Sequence, residues 1–188
     1  MVDRYDKTEQ DYHEGILDDN EKRAFELSQV SKISKEKPNL LPYKHLVTLA
    51  QSKTNLNEII EALERSGEVK DVDENKLENR IKCIKQWIKN YAPESVVFEI
   101  QKEKPKIEFD DLQKKCIKLL IEKMKEVEWS PEGIHNSFYE LQEQNDIPAK
   151  NFFKIMYNVL LNKERGPRLG FFLATMNKEF IIERLESY

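Results

Sequence analysis

Arg165-Gly166-Pro167-Arg168-Leu169-Gly170 sets two guanidinium groups three positions apart across a Gly-Pro turn. Planar guanidinium forks fit phosphate oxygens and base edges, and backbone N–H groups at a helix start offer donors to the same ligands. The same residues also read as a plain helix-to-helix turn, with Gly166 supplying a positive φ and Pro167 opening the next helix. A turn needs no guanidinium, so the flanking arginines are the surplus that points to nucleic acid. Lys154 and Lys163 lie in the same stretch: residues 148–178 hold six Lys and Arg against Glu164 alone. That segment is +5 on a chain of net charge −4, so the remaining residues carry −9. Phe152, Phe153, Tyr157, Phe171 and Phe172 accompany it. Exposed aromatics stack on unpaired bases, but at helical spacing most of the five are expected in the core.

Little else in the 188 residues suggests chemistry. Only five glycines are present, none in the G-x-G-x-x-G or G-x-x-x-x-G-K-[ST] spacing that lets a phosphate approach the backbone, which excludes autonomous nucleotide-binding enzymes of those classes. His13, His45 and His135 are scattered, and Cys83 and Cys116 each sit alone inside an apolar-periodic stretch. No metal site, catalytic residue or cofactor is expected in this chain, and both cysteines are expected to be buried structural thiols. No run of 18 apolar residues occurs and MVDRYDKTEQ lacks the apolar core of a signal peptide, so a cytoplasmic protein without membrane or DNA partners is expected.

The elements that would position the basic turn are helices. Periodicity predicts helices over Asp19–Lys32 with Ala24, Leu27 and Val30 inward, from Leu41-Pro42 to Ser52, and from Asn55 to a stop at Gly67. A longer one is predicted over Glu74–Tyr91, with Leu77, Ile81, Ile84, Ile88 and Tyr91 on one stripe and Lys82, Lys85 and Lys89 opposite. The three lysines form a solvated face or track phosphates. Ala92-Pro93 ends that helix, and Ser95 to Ile100 is the one strand-like piece. Further helices are predicted over Asp110–Glu128 with Leu112, Cys116, Leu119, Leu120, Met124 and Val127 inward, from Ser130-Pro131 to Gln144, from Pro148 through Leu160, over Pro167–Thr175, and over Asn177–Glu186. The expected architecture is an all-α helical bundle or cage of two helical subdomains, 1–104 and 105–188.

Three groups of residues in order resemble the C-terminal, non-catalytic part of the class I lysyl-tRNA synthetases. They are Tyr5 to Tyr12 with Lys22 to Ser28; Trp87-Ile88-Lys89-Asn90-Tyr91-Ala92-Pro93-Glu94 with Phe98; and Trp129 to His135 followed by Ile155 to Leu161 and Lys163 to Gly170. The match spans nearly the whole chain, departing at Gly133 and at Phe171-Phe172. It implies an α-helix cage similar to the anticodon-binding region of bacterial glutamyl-tRNA synthetases, where a Pro-containing turn near the C-terminus touches anticodon bases. Carried over, the RNA-binding residues are Gly166, Pro167, Arg168 and Leu169, with Arg165, Lys163 and Lys154 as neighbours, and the partner is a lysine tRNA with uridine-rich anticodon. Attachment of lysine with ATP would belong to a catalytic domain whose signature motifs these residues lack, so the chain is expected to be a fragment that binds without catalysing. Lys32-Ile33-Ser34-Lys35-Glu36 resembles the K-M-S-K-S loop of class I synthetases, but without a H-I-G-H-like partner motif the likeness is read as accidental. The rival reading is a helical protein-interaction module in which residues 152–172 dock a partner helix.

Overall fold

The computed structural model describes residues 2–35, 41–66 and 73–188. Among them the chain is all-α, with ten helices and no strand. Two compact units divide at Leu46/Val47, inside α3 (Tyr43–Ser52). The expected subdomain boundary at 104/105 falls within the second unit.

In the first unit, α1 (Val2–Glu14) pairs with α2 (Asp19–Leu27). The periodicity did not reveal α1, because the helix buries no residue and so carries no apolar stripe. Its contribution is aromatic: the Tyr5 and Tyr12 rings lie 5.8 and 4.8 Å from Phe25. Phe25 is buried, whereas Ala24, Leu27 and Val30, expected inward, are exposed. The helix therefore presents the opposite face and stops at Leu27, short of Lys32, since nothing beyond Phe25 finds a core. Asp18 caps it in a capping box with Glu21. Of the K-I-S-K-E motif, Lys32 to Lys35 are non-helical and Glu36 lies outside the described residues.

The second unit begins within α3 and continues through α4 (Leu56–Arg65) and α5 (Glu74–Asn90). Asn55 caps α4 as its residue type predicts; the expected stop at Gly67 lies outside the described residues. Leu77, Ile81 and Ile84 of α5 are buried, but the stripe fades toward Tyr91, which is 79% exposed. Cys83 is exposed, contrary to expectation, because it lies one position off that stripe.

Beyond residue 109 five helices share one core: α6 (Asp111–Glu126), α7 (Pro131–Asn145), α8 (Ala149–Leu161), α9 (Leu169–Ala174) and α10 (Lys178–Glu186). Their starts follow local chemistry. Asp110 and Gln113 form a capping box, Ser130 accepts from the Gly133 N–H with Pro131 in the first turn, and Asn177 accepts from the Phe180 N–H. Cys116, Leu120 and Met124 point inward as predicted; Leu112 is exposed, and Ile117 takes the buried position instead.

The strand candidate makes no sheet. Residues 97–100 form no regular element, and a side chain substitutes for a neighbouring strand: Gln51 Oε1 accepts from the Phe98 N–H at 2.9 Å, and Gln51 Nε2 donates to the Val96 carbonyl at 3.4 Å. Phe98 is thereby seated edge-on against Phe172, with centroids 5.5 Å apart. The following residues are gathered by Arg184. This buried guanidinium donates to the carbonyls of Gln101, Lys102, Glu103 and Val159 at 2.8–3.2 Å, so a loop and the end of α8 are fixed to α10. Four carbonyl acceptors replace the water that a buried cation would otherwise lose.

Candidate nucleic-acid interface

The basic turn is built outward from α8. Phe152, Ile155, Met156, Val159 and Leu160 bury one face of that helix, which fixes where its C-terminus emerges. The left-handed residue that ends it is Asn162, at φ 52°, and not Gly166 as the Gly-Pro pattern suggested. Asn tolerates this conformation because its short amide interacts locally. Gly166 is required for closeness instead. A Cβ there would lie 2.7 Å from Leu161 Cδ1 and 2.8 Å from two carbons of the Tyr157 ring.

Pro167 likewise lies two residues before the helix, not within it: Arg168 is the N-cap of α9, without a side-chain cap bond, and the helix starts at Leu169. Since α9 has six residues, its aligned dipoles are few, and the N–H donors foreseen at its start carry a weaker field than a long helix would. The anion-directed chemistry of the turn therefore rests on side chains.

Those side chains divide sharply. Arg165 and Arg168 are exposed, and neither guanidinium has a hydrogen bond or salt bridge with a described residue. Lys163 is exposed but its Nζ donates to the Val97 carbonyl at 2.6 Å, tying the turn to the segment that follows α5. Lys154 forms an ion pair with Glu164 at 2.5 Å, and that contact holds the Glu164 carboxyl below its usual pKa. Both lysines expected to face a ligand are thus engaged within the protein. Leu169 is buried at 5% exposure and belongs to the core; only its backbone remains for a ligand. Pro167 is half-buried, and its carbonyl accepts from the Tyr157 hydroxyl at 2.6 Å.

The aromatics follow the packing reading. Phe152, Phe171 and Phe172 are buried; Phe153 and Tyr157 are half-buried, with Phe153 lying 4.9 Å from Phe138. Most of the apolar surface that a partner helix would use along 152–172 is thus taken up by the core. On α5, Lys82, Lys85 and Lys89 are exposed, and Lys82 pairs with Glu78 at 3.0 Å. Among the described residues no three His, Cys, Asp or Glu side chains group to hold a metal, and no helix is long and apolar enough to cross a membrane. What the sequence did not signal is the support beneath the turn, Gln51, Val97 and the Tyr157 hydroxyl, because these contacts join residues distant in the chain or depend on which way a ring points.

Residues 77–188, from the first buried leucine of α5 to the C-terminus and including the whole turn, match the family model described as anticodon binding domain. The chain belongs to the anticodon-binding domain family. Along its full length this anticodon-binding chain is similar to ligases named for lysine and tRNA. It is 34% identical to the lysine–tRNA ligase of Picrophilus torridus, over 100% of this chain and 37% of that protein. With the lysine–tRNA ligase of Borrelia garinii subsp. bavariensis it shares 35% identity over 99% of this chain and 36% of the relative. The lysine–tRNA ligase of Methanocaldococcus jannaschii is 32% identical over 98% and 38%. The chain thus spans somewhat more than a third of the length of the curated relatives it matches.

Proposed function

We propose that this chain binds the anticodon loop of a lysine tRNA as the anticodon-binding part of a class I lysyl-tRNA synthetase. The observation that carries the reading is the pair Arg165 and Arg168: two exposed guanidinia with no hydrogen bond or salt bridge among the described residues, on a turn braced from below, inside the region that matches the family. An anticodon loop presents splayed, single-stranded bases between closely spaced phosphates. Guanidinium forks serve both, and a uridine-rich loop offers carbonyl oxygens that accept from them.

In this proposal Arg165, Arg168 and Lys163 supply charge, while Gly166, Pro167 and Leu169 set the backbone path that aims them. ATP and the attachment of lysine are assigned to the portion of such ligases that this chain does not span. The place of action would be the cytoplasm, where tRNA is charged.

Titration of labelled lysine tRNA, and of the same tRNA with its anticodon replaced, at several salt concentrations tests the reading. Binding weakens with salt, the native anticodon binds tighter, and Arg168→Glu loses affinity without lowering the unfolding midpoint. Replacing Arg165 with Gln should lower the salt slope by about one. Equal affinity for the two tRNAs would sink anticodon reading, and a flat salt dependence would sink the phosphate contribution.

A further inference from the structure

The turn that carries Arg165 and Arg168 is anchored at both ends. At one end Asn162 closes α8 in the left-handed conformation, and at the other Leu169 is sunk in the core. Between those anchors Lys163 is tied to the Val97 carbonyl and Glu164 to Lys154, which leaves Arg165 to Arg168 as the stretch that could flex and let the two exposed arginines sweep a range of positions. Tyr157 prevents this through two contacts of different kinds. Its ring fills the space that a Gly166 side chain would need, and its hydroxyl donates to the Pro167 carbonyl at 2.6 Å. One contact limits how close the turn comes to α8, and the other limits how far it moves away.

We infer that Tyr157 is a positioning residue for RNA recognition, holding the Arg165–Arg168 turn in the one conformation that presents both guanidinia to the anticodon loop. The inference rests on the proposed function above. Tyr157 touches no ligand in this scheme; it acts through Gly166 and Pro167. Burial raises the pKa of its phenol, so the hydroxyl remains a donor across the physiological range. Phe at this position would keep the ring and lose only the tether. Ala at 166 would keep the tether's donor and force ring and turn apart.

Binding to a protein whose competent conformation is only partly populated weakens in proportion to that population. Losing one neutral hydrogen bond shifts such an equilibrium by roughly 2- to 10-fold. Tyr157→Phe is therefore expected to raise Kd for lysine tRNA by that factor, while Kd for the anticodon-replaced tRNA, which keeps the arginines' phosphate contacts but not their base contacts, rises less. The ratio between the two tRNAs narrows. Gly166→Ala should narrow it in the same direction. The unfolding midpoint of Tyr157→Phe should stay within about 4 °C of the parent, since a single hydrogen bond is at stake.

The experiment measures both Kd values and the thermal midpoint for the full chain and for Tyr157→Phe, Gly166→Ala and Arg168→Glu. If Arg168→Glu weakens lysine tRNA and the other two narrow the ratio, the inference holds. If Arg168→Glu weakens binding while Tyr157→Phe and Gly166→Ala leave the ratio unchanged, the proposed function stands and the positioning role is overturned; a lowered midpoint with an unchanged ratio overturns it equally, as the mark of a purely structural tyrosine. If Arg168→Glu binds like the parent, the proposed function fails and takes the inference with it.

Discussion

Gly170 of α9 lies against the backbone of Pro131 in α7, so close that a Cβ at 170 would collide with the Pro131 carbonyl oxygen and press on His135. The residue opposite is backbone and cannot swing away. Gly170→Ala should therefore cost about 1–3 kcal/mol, the usual penalty for overpacking. Differential scanning calorimetry should show a midpoint several degrees lower, at about 2–4 °C per kcal/mol for a chain of this size. An unchanged midpoint would mean that the two helices separate freely.

Arg184 should be among the most sensitive charged positions. Arg184→Met removes every donor to the Gln101, Lys102, Glu103 and Val159 carbonyls, and a loss of roughly 3 kcal/mol or more is expected in urea unfolding. Arg184→Lys keeps the charge but not the fork and should recover only part of it. Hydrogen exchange at the Gln101 amide, which donates to Leu160, should speed up in both variants.

The two cysteines should differ in reach rather than in kind. Cys83 is exposed, whereas Cys116 is buried and burial raises its thiol pKa. With a thiol reagent under native conditions one equivalent is expected to react promptly, and the second only after denaturant is added. Cys83→Ser should abolish the fast phase. Two fast equivalents would mean that the α6 region of the core opens readily.

Alkali should destabilise the fold. Burial raises the pKa of Tyr157, Tyr188 and Cys116, so the native state holds these protons more tightly than the unfolded chain does. Their contribution is complete below the unfolded values, about 8.5 for Cys and about 10 for Tyr, and is lost as pH rises through the folded ones. Urea midpoints should hold to about pH 8 and fall above it. Tyr157→Phe should fall less steeply, and a slope equal to the parent's would remove Tyr157 from the account.

Helix starts were the most legible feature. Asn55, Asp110, Ser130 with Pro131, and Asn177 each announce a helix with a side chain that accepts a nearby backbone N–H, a contact spanning three residues that needs no tertiary partner. The apolar stripes of α5, α6 and α8 were legible for the same reason, since period alone states which residues must share a face. Where only one residue of a helix is buried, as in α2, period gave the wrong face. Where none is, as in α1, it gave nothing. Ser95 to Ile100 has the composition of a strand, but no second strand exists among the described residues to pair with it, and Gln51 takes that role.

The candidate site shows the same division. Residue types alone determined that the all-α chain has a net-positive C-terminal segment with an Arg-Gly-Pro-Arg turn, because charge and turn propensity are properties of neighbouring residues. Only the tertiary structure decided which of those residues remain available. It buried Leu169, engaged Lys154 with Glu164 and Lys163 with Val97, and left Arg165 and Arg168 exposed on a backbone braced by Tyr157. The physical reason is distance. Whether a cation faces solvent or a carbonyl depends on what folding brings within about 3 Å of it, and Lys163 and Val97 meet across 66 positions of chain that no local pattern spans.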